Sequence, residues 1–192
     1  MRHPLWGRVQ EIYGEDPFLS GWLTEAYVTG LQGDHPRYIK ANAGCKTLAA
    51  HSGPENIPSS RFSFDAKVSE RDMRLTYLPH WAACINAGSM NIMCSYNSFN
   101  GIPACGNKRL MQEIARGELG FKGYFISDWE AIRFIYTGHK YTKSLMEAVV
   151  LAANSGVDLE LPGKDPAYKL LYDAVVNGLV RSFFISFPFV IN

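Results

Sequence analysis

A chain of 192 residues, 47% hydrophobic and 19% charged, has the length and apolar content for one globular domain with a real core. Its formal net charge is +1 and no basic cluster stands out, which argues against nucleic acid as a partner. The five histidines are scattered, without a His-Glu-x-x-His or Cys-x-x-Cys motif or a phosphate-cradling glycine loop, so neither a metal nor a cofactor is expected.

The first residues, MRHPLWGR, lack the apolar run of a signal peptide, and the compartment is left open. Asp16-Pro17 predicts a helix start, with Pro17 at the first helical position. A strand-like unit follows around Ala41 to Ala50. Residues 51 to 67, with Gly, two Pro and four Ser, read as a long loop. Ser69 can cap a helix running to about Ala87 and stopped at Gly88. MNIMCSY (90–96) predicts a strand. Cys94 and Cys105 flank a polar loop, where a disulfide and two buried free thiols both fit.

Asn107 can cap the next helix, to about Leu119. GYFISDW (123–129) is an apolar strand that ends on Asp128. A helix from about Thr142 to Ser155 puts Leu145, Ala148, Val149 and Ala152 on one face, and Gly156 stops it. GVDLELP (156–162) predicts another strand, and Asp165-Pro166 a last helix. From Arg181 the text changes to RSFFISFPFVIN. Its run FFISFPFVI (183–191) is too short to span a bilayer and contains a proline. Of the 10 Tyr, 11 Phe and 4 Trp, most are expected in the core.

The three clearest strands start 33 residues apart with helices between them, which is βαβ logic. They share no repeat consensus, so a barrel or open sheet is preferred to a solenoid. A complete barrel takes about 250 residues and about five βα units are visible, so the expected fold is α/β, an incomplete (β/α)8 TIM-type barrel. The expected division is a partial barrel over 1–180 and a divergent apolar tail over 181–192. In such a fold the strand ends face the site. Asp128 with Trp129 beside it is an acid next to an aromatic platform, suited to a sugar. The plain alternative is that Asp128 caps the following helix.

The segments HPLWGRVQEIYGEDPFLSG, GCKTLAAHSGPE, VSERDMRLTYLPHW, NIMCSYNSFNGIPAC, ELGFKGYFISDW and GVDLELPG together resemble glycoside hydrolase family 3, the retaining β-glucosidases and β-xylosidases. The resemblance covers nearly all of residues 2–180. HSGPE and SERD look closest to the β-xylosidase branch. It implies Asp128 as nucleophile, a role that needs a second, protonatable carboxyl about 5–5.5 Å away. It implies Trp129 against the sugar ring, Arg8 and Lys46 in the first subsite, Glu11 binding hydroxyls or orienting Arg8, Arg61 in a second subsite, and Tyr96 holding the nucleophile. His51 and Glu55 read as solvated loop residues. Asp158 and Glu160 read as rim residues without a catalytic role.

The resemblance implies hydrolysis of O-glycosyl bonds by a retaining β-glycosidase, β-xylosidase-like and exo-acting on xylo-oligosaccharides. Three departures stand beside it. The family's Lys-His pair reads Lys46-Thr47; the first barrel strands are expected before Met1; and the acid/base belongs to a second domain, so no residue here takes that role. The implied partners are the β-linked oligosaccharide and that second domain, and the implied location of an intact member is extracellular. A truncated remnant, binding sugar weakly or not at all, is the alternative.

Overall fold

The computed structural model describes residues 3–181 apart from Pro36, Pro54 and Ile57. The apolar tail therefore lies outside the described residues, Arg181 excepted. The helix α1 (Pro17–Gln32) begins as its sequence requires, with the Asp16 carboxylate accepting from the Phe18 amide at 2.9 Å. The chain then enters β1 (Gly44–Leu48). The long loop is not wholly irregular: β2 (Asp65–Ala66) interrupts it.

Ser69 caps the next helix, through the Asp72 amide at 3.0 Å. That helix is not uniform. It comprises α2 (Glu70–Asp72), a π-helical turn Met73–Tyr77 and α3 (Pro79–Asn86). Pro79 has no amide to continue the α ladder, and Leu78 instead donates five residues back to the Met73 carbonyl. The strand β3 (Asn91–Cys94) follows, then the short β4 (Ser98–Phe99) and β5 (Ile102–Pro103).

Asn107 caps the next helical segment through the Leu110 amide, but Arg109–Glu118 is π-helical. Its wider turns bury Leu110, Met111, Ile114 and Ala115 together. After β6 (Tyr124–Ser127) come α4 (Ala131–Thr137) and α5 (Leu145–Ser155). The cap of α5 is Ser144 rather than a residue near Thr142: Ser144 accepts from the Glu147 amide, and Glu147 reaches back to the Lys143 amide. Gly156 ends it at φ 110°, a left-handed conformation that glycine adopts without a Cβ penalty.

The wall of the fold is a parallel sheet in the order β1–β3–β6, with Asn91 between Gly44 and Tyr124 in register. GVDLELP does not become a fourth strand. Only Leu159 bridges, to Ile126. Side chains have taken the places of main-chain partners there: the Asp158 carboxylate accepts the Phe125 amide, and the Ser127 hydroxyl accepts the Leu161 amide. Nor does Asp165 cap the last helix, α6 (Leu171–Val176), or the 3₁₀ turn Ala167–Leu170 before it. Glu160 accepts from the Ala167 and Tyr168 amides, while Asp165 pairs with Arg133 and Lys169.

Ile92, Phe125, Met111, Ile132, Ile135 and Val149 are fully buried between the wall and its helices. Wall and helices form an arc of a (β/α) barrel, incomplete as the length requires. A smaller sheet of β2, β4 and β5 packs at its edge. Disulfides join Cys45 to Cys84, tying β1 to α3, and Cys94 to Cys105 across the polar loop. Several aromatics are not core: Phe18, Trp22 and Tyr27 lie exposed along α1. Among the described residues no helix is long and apolar enough to cross a membrane.

Candidate active site

Asp128 stands immediately after β6, with its amide donating to the Cys94 carbonyl at 3.2 Å. Parallel pairing with β3 thus sets its position through the main chain. The residue is 8% exposed. Its Oδ1 accepts from the Trp129 amide at 2.8 Å, whereas Oδ2 is buried and has no hydrogen-bond partner among the described residues. A buried acceptor without a partner is costly in a finished core, and is what a site awaiting a ligand would present. The start of α4 is served by the Asp128 carbonyl, which accepts from Ala131, and not by its side chain.

Between them, Glu130 adopts a left-handed φ of 54°, a conformation unfavourable for a residue with a side chain. Its amide is anchored on the Leu161 carbonyl. Trp129 beside it is 47% exposed, with its ring 6.5 Å from that of Phe134.

Tyr96, two residues past the end of β3, approaches Asp128. Its hydroxyl nears the carboxylate without a well-aligned hydrogen bond to Oδ2, and burial followed by the Asp128 charge pushes its pKa up. Phe62 and Phe134 pack edge-on against its ring. The Tyr96 carbonyl accepts from His139 Nε2 at 2.7 Å, and the same ring meets the Ser98 hydroxyl.

The basic residues assemble around a different centre. Glu11 takes Arg8 with both carboxylate oxygens, at 2.6 and 2.8 Å, and Lys46 at 2.7 Å. The Arg8 hydrogen bonds, with those of Lys46, hold the Glu11 pKa down at about 2 against partial burial. Arg61 pairs with Glu55 at 2.8 Å.

A cleft of about 190 Å³ is lined by Trp6, Arg8, Glu11, Lys46, Thr47 and His51 among others. Asp128, Tyr96 and Trp129 are not in its lining; Arg61 and Glu55 line a smaller hollow that shares Trp6 and His51 with it. The structure thus gathers Arg8, Glu11 and Lys46, sets Tyr96 and Trp129 beside Asp128, and pairs Arg61 with Glu55 in the neighbouring hollow, from which its charge still reaches His51 and Tyr96. Arg8, His51 and Tyr96 all feel the Asp128 charge.

His51 is not the solvated loop residue its sequence context implies. It is 7% exposed, between the Trp6 and Tyr96 rings, with Nε2 at 3.3 Å from Arg8 and Nδ1 at 3.2 Å from Asn97. Burial first, then the positive charges of Arg8 and Arg61, lower its pKa to about 4. Glu55 is likewise ion-paired. Sequence reasoning gave no role to Asn97 or His139. For Asn97 the available signal was a polar side chain close after a strand end; His139 follows the end of α4 and had none.

Residues 1–185 match the model of the glycosyl hydrolase family 3 N-terminal domain. The chain is 42% identical over 185 residues to exo-1,4-β-xylosidase bxlB of Emericella nidulans, covering 94% of this chain and 24% of the relative. It is 39% identical to a xylan 1,4-β-xylosidase of Xylanibacter ruminicola, covering 93% of this chain and 21% of the relative. Among solved structures, a family 3 exo-β-xylosidase bound to a xylobiose aziridine probe matches with a TM-score of 0.89 and 31% identity, over 96% of this chain and 24% of that one. A β-glucosidase from Listeria innocua in complex with glucose matches with a TM-score of 0.85 and 33% identity, over 96% and 26%. The chain spans about a quarter of the length of these proteins.

Proposed function

Since this chain belongs to glycosyl hydrolase family 3, we propose that it carries the nucleophile half of a retaining β-glycosidase, exo-acting on xylo-oligosaccharides. The observation that carries the reading is the Asp128 carboxylate: rigidly placed after β6, with a buried Oδ2 that has no partner among the described residues. In this reading Oδ2 attacks the anomeric carbon, and the glycosidic bond breaks as the leaving oxygen takes a proton from an acid supplied by a second domain. Water, deprotonated by that same group, then releases the sugar from its ester with Asp128.

Tyr96 steadies the carboxylate and Trp129 offers its exposed face to the ring. Arg8 and Lys46, oriented by Glu11, donate to sugar hydroxyls, and Arg61 serves a subsite further out. Thr47 lines the cleft where the family places a histidine, and its hydroxyl is a shorter donor. The xyloside preference is supported by the two xylosidase relatives. We assign residues 1–180 to the partial barrel and 181–192 to a separate tail. The two disulfides support an oxidising, extracellular compartment.

A 2-fluoro-xyloside with a good leaving group is the test, applied to the protein that carries this domain together with its acid/base partner. Peptide mapping is expected to find the glycosyl adduct on Asp128, and Asp128→Asn to lose activity by more than about a thousandfold. An adduct elsewhere, or an active Asp128→Asn, overturns the assignment. Faster turnover of nitrophenyl glucoside than of the xyloside overturns the preference.

A further inference from the structure

We propose that His51, backed by Asn97, is a positioning residue that holds the Arg8 guanidinium in its substrate-facing orientation. The proposal rests on the reading of Arg8 as a sugar-binding residue. The directions of the hydrogen bonds follow from what each group can do. A guanidinium has donors only, so Arg8 Nη1 donates to His51 Nε2, which must be unprotonated. The ring proton then sits on Nδ1 and is donated to Asn97 Oδ1.

The Asn97 amide cannot turn over to reverse this. Its Nδ2 donates to two carbonyls, Ala49 at 3.1 Å and Ser98 at 2.9 Å, and neither could bond to an oxygen in its place. Asn97 is fully buried, so no water competes for these groups. The result is one directed chain from Arg8 through His51 and Asn97 to main chain at the end of β1 and in β4.

Glu11 and His51 divide the guanidinium between them. Glu11 takes Nε and Nη2, and His51 takes Nη1. Glu11 alone would let the fork swing with its own partly exposed side chain. His51 supplies a second, buried point of reference that ties the fork to the sheet. The remaining N–H groups on Nη1 and Nη2 are left to donate into the cleft. An imidazolium would present a proton to a donor and a charge to a cation, so the chain works only with a neutral ring. The low proton affinity of buried His51 agrees with that.

Two measurements on the full chain test this. In ¹⁵N-histidine NMR, His51 is expected as the Nδ1–H tautomer at pH 7, with Nε2 unprotonated. Titration with methyl β-xyloside, by calorimetry or chemical-shift change, is expected to show about tenfold weaker binding for His51→Leu, the size of one hydrogen bond to a charged group. His51→Gln, which restores an acceptor near the Nε2 position, should bind within about twofold of the parent. His51→Leu added to Arg8→Ala should cost nothing further.

An Nε2–H or charged ring, equal losses for Leu and Gln, or additive losses in the double variant would each overturn the positioning role while leaving Arg8 its own. Unchanged xyloside binding by Arg8→Ala would instead overturn the sugar-binding reading of Arg8, and the positioning role with it.

Discussion

The Asp128 wall and the Arg8 rim differ in what holds their side chains in place. On the wall, β3 and β6 are paired in parallel register, Ile92 and Phe125 are fully buried, and the Asp128 amide is bound to the Cys94 carbonyl. The acid is placed by main chain and core. On the rim, Arg8, Glu11 and Lys46 hold one another through ion pairs, with the Lys46 side chain 43% and that of Glu11 33% exposed. The wall is as stable as the fold. The rim is an electrostatic arrangement, sensitive to pH and salt. His51 belongs to both, buried like the wall and bonded to the rim.

Truncating the wall is the most severe way to test this contrast. Phe125→Ala is expected to cost about 3–5 kcal/mol in denaturant unfolding. A loss under about 1 kcal/mol would mean that the wall is not the scaffold.

The second test is pH. Because burial and the flanking Arg8 and Arg61 lower the folded pKa of His51 from 6.5 to about 4, the unfolded chain takes up the proton first as pH falls. Asp128 and Asn97 oppose this without reversing it. Stability from the neutral ring is therefore full above pH 6.5 and lost as pH falls toward about 4, by an amount on the order of 3 kcal/mol. His51→Gln should flatten the stability–pH curve across that window, and parallel curves for the two proteins would refute the assignment.

Gly123→Ala is next in size. A Cβ there would sit 2.2 Å from the Met90 carbonyl oxygen, the acceptor that starts the β6 pairing. The clash is with backbone, which gives way poorly, and about 1–3 kcal/mol of destabilisation is expected by thermal unfolding. The smallest effect belongs to the rim. Glu11→Gln should cost about 1 kcal/mol or less, because its ion pairs are partly screened by solvent. The lowered Glu11 pKa makes its contribution present above the ordinary 4.5 and lost as pH falls toward about 2. High salt should shrink the difference between parent and variant; a difference larger than that for Gly123→Ala would erase the contrast between rim and wall.

Helix starts at Asp16, Ser69 and Asn107 were legible because each cap acts on an amide two or three residues away. The strands β3 and β6 were legible from short apolar runs, and the acid after β6 from its place at the end of one. The same local reasoning misassigned 156–162 as a strand, because Asp158 and Ser127 claim amides across 33 and 34 residues. It also could not pair Cys45 with Cys84, which come together only through the packing of α3 on β1.

By itself, then, the sequence determined the family, the alternation of strands and helices, and an acid at a strand end, since motif order and capping chemistry are written in neighbouring residues. Only the tertiary structure decided that Oδ2 of Asp128 is buried without a partner among the described residues, that Glu11 gathers Arg8 and Lys46, and that a loop histidine is a buried link from Arg8 to Asn97. Those outcomes depend on contacts across 35 to 46 residues, as between Lys46 and Glu11 or His51 and Asn97. Burial and proton affinity are set by what the fold brings near, and no spacing along the chain records it.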